Sequence, residues 1–240
     1  MKKHYAYIIL FLLVLSSCEK TTLETEEISV EENLPPFEDI VLDGVFDVYL
    51  TQKSTPSIKI SGHKDHIKNI RFTVEKNVFN IKNDTKFKWL HPENNKIKIY
   101  LGIDSIKKIT AKETCYIETV GPIKADEIGV IFKGKLNQAQ LELDCNTFYY
   151  WNDFPCGGKL TLTGKTKYLK LWNFALMSVD ASNLNSNHVL IHNGSKGICK
   201  VRAKDAIEYS INGDGDIYLY GTPKLIPGEV TSSGKLIPVE

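Results

Sequence analysis

Near its C-terminus the chain sets oxygen-bearing side chains on alternate positions. In INGDGDIYLYGTP, Asn212, Asp214 and Asp216 are separated by Gly213 and Gly215. Such spacing could hold calcium, which takes about six to eight oxygens. Calcium-binding β-rolls repeat glycine/aspartate nonapeptides in tandem, so that successive turns share each ion. Here the pattern stands once. The equivalent stretches NGSKGI, NFALMS and NDFPCG carry too few carboxylates for stacked sites. The expectation is a turn that opens a strand, with no metal and no cofactor; the alternative is a surface cation site completed from elsewhere.

His63 and His66 are three residues apart with Asp65 between them, a spacing that could share a metal on one helical turn. No third ligand is evident, and a solvated loop is the expectation. His188 and His192 flank an alternating run and should face outward. No GxSxG elbow is present. A polysaccharide lyase would need arginine or a cation beside a base, and the chain has only Arg71 and Arg202. Cys115, Cys145, Cys156 and Cys199 lack zinc spacings. Cys145–Cys156 is the one pair close enough in sequence for a local bridge, and Cys199 should be a small buried apolar group.

The aromatic residues are the better candidates. FYYWND and LKLWNF place Trp151 and Trp172 each immediately before an Asn, 21 residues apart. Tyr149, Phe154 and Phe174 lie nearby, and His192 follows one interval later. If these intervals stack, an outer ladder of rings results, suited to sugar stacking or protein contact. The candidate binding residues are Tyr149, Trp151, Trp172 and Phe174, with Trp89 as a possible second contact. The alternative is that a loop or the N-terminal strands cover them.

What must position these rings is a repeat. Period-two alternation runs through the chain, and no segment sustains a helical period. Early strands are expected at 40–42, 46–51, 57–61, 70–74, 78–82 and 96–101, with Glu75-Lys76-Asn77 as a tight hairpin turn. After residue 105 the strands recur. Leu160, Val179, Cys199, Ile217 and Leu236 open successive copies, 19, 20, 18 and 19 residues apart. Asn152, Asn173, Asn193 and Asn212 keep a parallel step of 21, 20 and 19. A unit this short buries its apolar face only by stacking on its neighbours. The fold expected is an all-β, parallel β-helix-like solenoid (residues 105–240) with an N-terminal β-strand region (37–104). Leu160, Leu162, Val179, Ala181, Cys199, Val201, Ile217 and Leu219 should point inward, and Thr161, Asp180, Lys200 and Tyr218 outward. Asn and Gly should make the corners through left-handed or bulged backbone. An antiparallel sandwich is the alternative architecture.

The N-terminus is a targeting segment. Lys2 and Lys3 precede an apolar run from Tyr5 to Leu15, which Leu-Ser-Ser-Cys closes at Cys18. That run is too short to span a bilayer and reads as a signal peptide, residues 1–17. Its end resembles a bacterial lipobox, which would make Cys18 the lipid attachment point. Residues 18–36, rich in Glu and Thr, should form a flexible tether. The net charge is +1, and no basic block suggests nucleic acid.

FEDIVLDGVFDVYLTQ, SIKISG, VFNIKN and the closing NGDGDIYLYGTP resemble the auto-transporter adhesin "head GIN" domain found in exported proteins of Bacteroidetes-type bacteria. The resemblance runs from about Phe37 to the C-terminus and implies a right-handed β-helix with no catalytic residues to carry over. Aromatic WNDF and WNFA stand where that family usually has small Ser/Gly pairs. Together these readings describe a non-enzymatic, adhesin-like lipoprotein of the cell envelope, in the outer membrane. It would bind a protein or glycan partner and meet the membrane through lipid on Cys18. A lyase-type carbohydrate enzyme and a purely structural envelope protein are the alternatives.

Overall fold

The structure is a computed structural model and describes residues 27–85, 97–152 and 155–239. The signal peptide, Cys18, the first part of the tether, Trp89 and Phe154 lie outside the described residues.

The chain forms a three-walled β-solenoid of about six turns. Its strands are β1 (Glu27–Asn33), β2 (Asp39–Asp43), β3 (Phe46–Gln52), β4 (Ser57–His63), β5 (Ile70–Glu75), β6 (Val78–Asn83), β7 (Lys98–Ile103) and β8 (Lys108–Ala111). They continue as β9 (Cys115–Thr119), β10 (Ile123–Phe132), β11 (Leu136–Asn152), β12 (Gly157–Ser195), β13 (Cys199–Ile211), β14 (Ile217–Tyr220), β15 (Lys224–Val230) and β16 (Leu236–Val239). Among the described residues one short helix, α1 (Lys64–Ile67), interrupts them.

Alternation within each strand sends every second side chain inward, and parallel pairing stacks like on like. On the first wall, Ile40, Ile109, Val130, Tyr150 and Leu171 are register partners in turn. On the second, Val48, Ile117, Ala139 and Leu160 follow one another. Higher on the same wall, Val179, Cys199, Ile217 and Leu236 form one file. The third wall stacks Ala125, Cys145 and Thr166. All eight residues expected inward are buried, and Thr161, Asp180, Lys200 and Tyr218 are partly exposed on the outside. The N-terminal strands belong to the same sheet, but the chain enters it out of order. β2 and β3 make the second rung, β6 and β7 the rung beneath, and β8 and β9 the rung above.

The two ends differ. At the N-terminal end, β4 runs antiparallel to β7, β1 antiparallel to β4, and β5 antiparallel to β6. These strands close the lower edge, and the Glu-rich β1 leaves charge on it, which discourages further pairing. Glu27–Asn33 therefore departs from the flexible tether expected there: Val30 and its neighbours pair along their whole length with β4. A partner edge with free backbone groups outweighs the low apolar content of EISVEEN. The hairpin between β5 and β6 is as expected, with Lys76 at φ 50° and Asn77 at φ 63°, the left-handed pair a two-residue turn needs.

Tyr150 is fully buried in this core, its ring 5.6 Å from Phe132 and edge-on at 76°. Its hydroxyl has no hydrogen-bond partner among the described residues. A buried, unpaired hydroxyl costs about 1–3 kcal/mol. Tyr150→Phe should therefore stabilise the protein and raise the melting temperature by roughly 2–4 °C. A lower melting temperature would show that the hydroxyl is satisfied.

Candidate binding surface

The first wall carries the predicted aromatic ladder on its outer face. Trp151 is in register with Ile131 below and Trp172 above. Trp172 stacks on His192 of the next rung, with centroids 6.2 Å apart and planes at 11°. Four residues earlier on each strand, Tyr168 and His188 stack at 5.2 Å and 19°. Trp151 is 41% exposed, whereas Trp172, Tyr149 and His192 are half-buried. Neither the N-terminal strands nor another described loop covers this wall.

Tyr149 and Phe174 are seated by glycines. Tyr149 lies in register with Gly129, and a Cβ added there would fall 1.9 Å from the phenol ring. Phe174 lies over Gly194, where an added Cβ would meet the ring at 2.7 Å. Burial raises the Tyr149 phenol above its ordinary pKa, so it stays a neutral donor. The ladder does not bring all four predicted residues into one patch. Tyr149 and Trp172 stay on the wall, while Phe174 lies past the corner and shares a groove with Trp151.

The corner asparagines explain that placement, and they correct an expectation. Asn152, Asn173 and Asn193 are not left-handed; their side chains point inward and are buried. Asn152 donates to the Phe174 carbonyl at 3.0 Å and accepts from the Phe174 amide at 2.9 Å. Asn173 donates to the Met177 carbonyl at 3.0 Å and to Asn193 Oδ1 at 3.2 Å. Asn193 donates to the Gly215 carbonyl at 2.8 Å. A chain turning inside a solenoid leaves backbone groups without strand partners, and a buried amide supplies both donor and acceptor. Among the described corners of the repeats, the left-handed residue other than glycine is Ala175, at φ 62°.

The Cys145–Cys156 bridge does not form. Cys145 sits on the third wall beside Thr166, and Cys156 sits at the corner near Asn137. Eleven residues carry the chain part-way round a rung rather than back onto itself. Cys199 is buried as expected, but it also contacts Asn173 Nδ2 at 3.2 Å and Asn193 Oδ1 at 3.4 Å. Burial pushes its thiol up to about 12, which keeps it unreactive.

The Asp214–Asp216 turn uses its carboxylates within the fold. Asp214 accepts from the Ser232 and Ser233 hydroxyls at 2.7 and 2.8 Å, and Asp216 accepts from the Lys235 amide at 2.9 Å. These bonds fasten the last corner to the one before it. The hydrogen bond from Ser232, then that from Ser233, holds the Asp214 carboxyl below its usual pKa. Because the folded value lies below the unfolded one, the contribution is complete above the unfolded pKa. It is lost as pH falls through the folded value. Asp214→Asn should therefore flatten the loss of stability between about pH 5 and about pH 2.5. Urea midpoints at the two pH values would check it; an unchanged slope would refute it. His63 caps α1, accepting from the Asp65 amide at 3.3 Å, and its ring lies 5.7 Å from His66. Among the described residues no group of three or more His, Cys, Asp or Glu side chains converges on a metal-sized site.

A second ring cluster escaped the sequence reading. Tyr100, Tyr49 and Tyr116 occupy three adjacent rungs of the second wall. Tyr49 stacks on Tyr100 at 5.1 Å, and its ring lies 6.3 Å from Tyr116. The signal was the shared Tyr in FDVYLT and KIYLG, hidden because Tyr49 and Tyr100 lie 51 residues apart yet their strands pair directly.

Fold and surface together define a parallel β-solenoid with an aromatic outer wall. The family profile described as "Putative auto-transporter adhesin, head GIN domain" matches residues 36–223. The chain belongs to that family. Similar solved structures include a "putative adhesin" from Bacteroides fragilis, 18% identical with a TM-score of 0.81. That match covers 89% of this chain and 97% of the other. A "Putative lipid binding protein" from Parabacteroides distasonis is 14% identical with a TM-score of 0.66, covering 89% and 97%. A "putative adhesin" from Parabacteroides merdae is 16% identical with a TM-score of 0.60, covering 90% and 98%. At these identities the likeness is one of fold. Among curated proteins no relative matches.

Proposed function

We propose that this protein is a non-catalytic, adhesin-like binding module of the cell envelope, held to the membrane by lipid on Cys18. Its first wall meets a protein or glycan partner. The observation that carries the reading is the register of Trp151, Trp172 and His192 on one outer face. Such a wall is rigid, because the inward files that hold it are buried and continuous. Outer residues can change without disturbing the core, which suits recognition. Membership of an adhesin-named family and structural neighbours that are named adhesins support the same role. The arginines speak against the lyase alternative. Arg71 donates to the Lys68 and Ile70 carbonyls, and Arg202 donates to the Ser182 carbonyl and lies over Tyr220. Both guanidiniums serve their own backbone.

The test is Trp151→Ala combined with Trp172→Ala, compared with wild type on a glycan array and in pulldowns from envelope extracts. Aromatic anchors at interfaces are worth about 2 kcal/mol or more each. The double variant should lose its partner while keeping its melting temperature within a few degrees. Equal binding by both proteins would remove the wall from the function.

A further inference from the structure

A groove runs along the corner between the first and second walls. Its volume is about 990 Å³, at the upper end of the range of small-molecule sites. Six successive corners contribute to it, from Lys135-Leu136 through Pro155, Phe174–Leu176, Lys196 and Asp214 to Ser232. The lining is graded. Leu136, Trp151, Pro155, Phe174 and Leu176 make one half apolar, and Lys196, Asn212, Asp214 and Ser232 make the other half polar. Leu136 is 50% exposed and Leu176 64%, a high exposure for two leucines on one rigid corner, with Gly157 on the rung between them.

The floor narrows the choice of occupant. The Gly157 amide bonds to the Lys135 carbonyl at 2.9 Å, Leu176 to Cys156 at 3.0 Å, and Lys196 to Ala175 at 2.9 Å. These amides are spent along the solenoid axis, so the groove offers no free strand edge for an added peptide strand. Leucines give a sugar no hydrogen bonds. An alkyl chain needs none. Charge completes the argument. Lys135 and Lys196 make no ion pair within 4 Å among the described residues. Lys196 lies near enough to Asp214 to help lower its pKa, but that carboxylate is engaged by two serine hydroxyls, so the ammonium keeps donors for a second anion. From the Leu136 corner to the Lys196 corner is three rungs, or about 14 Å.

We propose that this groove binds a single-chain amphiphile with a carboxylate head, of the long-chain fatty acid class. The tail lies on Leu136, Trp151, Phe174 and Leu176, and the head meets Lys196. Ala175, in the left-handed conformation, lines the groove between them, and its methyl leaves the groove open there. Trp151 borders both wall and groove; otherwise the two sites are separate, and either can fail alone.

The experiment uses residues 27–239, which contain every core residue among the described residues, from Leu34 to Leu219. Fluorescence of 11-(dansylamino)undecanoate is followed on titration, with palmitate and hexadecanol as competitors. One saturable site is expected. Leu176→Asp should weaken it about tenfold or more. Leu136→Asp should act alike, and melting curves confirm that both exposed-site variants are folded. Lys196→Glu should weaken the two carboxylates about threefold or more and leave hexadecanol unchanged. Trp172→Ala, on the wall, should leave probe binding unchanged. Absence of saturable binding, or full affinity in both leucine variants, would overturn the proposal. So would binding to phosphatidylglycerol vesicles without binding of the dispersed probe.

Discussion

Asn193→Leu should cost about 3–5 kcal/mol, lowering the melting temperature by roughly 10–15 °C. Asn193 is the hub of the corner network. It donates to the Gly215 carbonyl and accepts from Asn173 Nδ2 at 3.2 Å and the Ser195 amide at 3.4 Å. Leucine is close in size but supplies none of these bonds, and the groups it strands are buried. Each stranded group costs about 1–3 kcal/mol. The matching change one rung on is the control. Asn212 is exposed, and its side chain bonds to the Thr231 hydroxyl at 2.9 Å. Asn212→Leu should cost about 1 kcal/mol or less. Urea denaturation of the two variants decides the matter. Equal losses would mean that the asparagines act through local turn preference rather than through the buried network.

Gly158→Ala should be more damaging still, by about 4 kcal/mol or more, enough to prevent soluble expression of a marginal domain. Gly158 has φ 125°, where residues with a side chain are strained. An added Cβ would also lie 1.8 Å from the Asn137 carbonyl oxygen of the rung below. Backbone is the obstacle, so neither partner can swing aside. Gly121 separates the two causes. Its φ is 83°, and an added Cβ would have nothing within 4 Å. Gly121→Ala should cost only the conformational strain, about 1–2 kcal/mol. Thermal unfolding of both variants tests this. Similar losses would show that φ, and not the approach of neighbouring rungs, sets the requirement for glycine.

The proposed recognition surfaces and the stability of the fold draw on the same corners. The Asn152 amide that satisfies the turn also fixes Phe174, and the left-handed Ala175 follows directly. Aromatics resting on glycines of the adjacent rung, as at Tyr149 and Phe174, place large rings on the outside without opening gaps between rungs. The solenoid thereby carries two chemically distinct exteriors, a flat ring-bearing wall and a graded groove, on one inward scaffold.

The walls were legible in the amino-acid sequence because their causes are local. Alternation assigns each side chain to the inside or the outside within a single strand. The twenty-residue step then sets which inward residues pile up, so Val179, Cys199 and Ile217 fall into one file. The outer ladder followed from the same arithmetic, since Trp151 and Trp172 are one step apart. Tertiary structure decided everything that depends on which rung lies next to which. The second rung precedes the first in the chain, β1 pairs instead of trailing free, and Tyr49 meets Tyr100 across a long insertion. The corner asparagines read alike in sequence, yet three are buried connectors and Asn212 is a surface residue. The distinction is physical: inward or outward is settled by neighbours along the chain, whereas a polar group's partner, or a groove crossing six corners, exists only once the rungs have stacked.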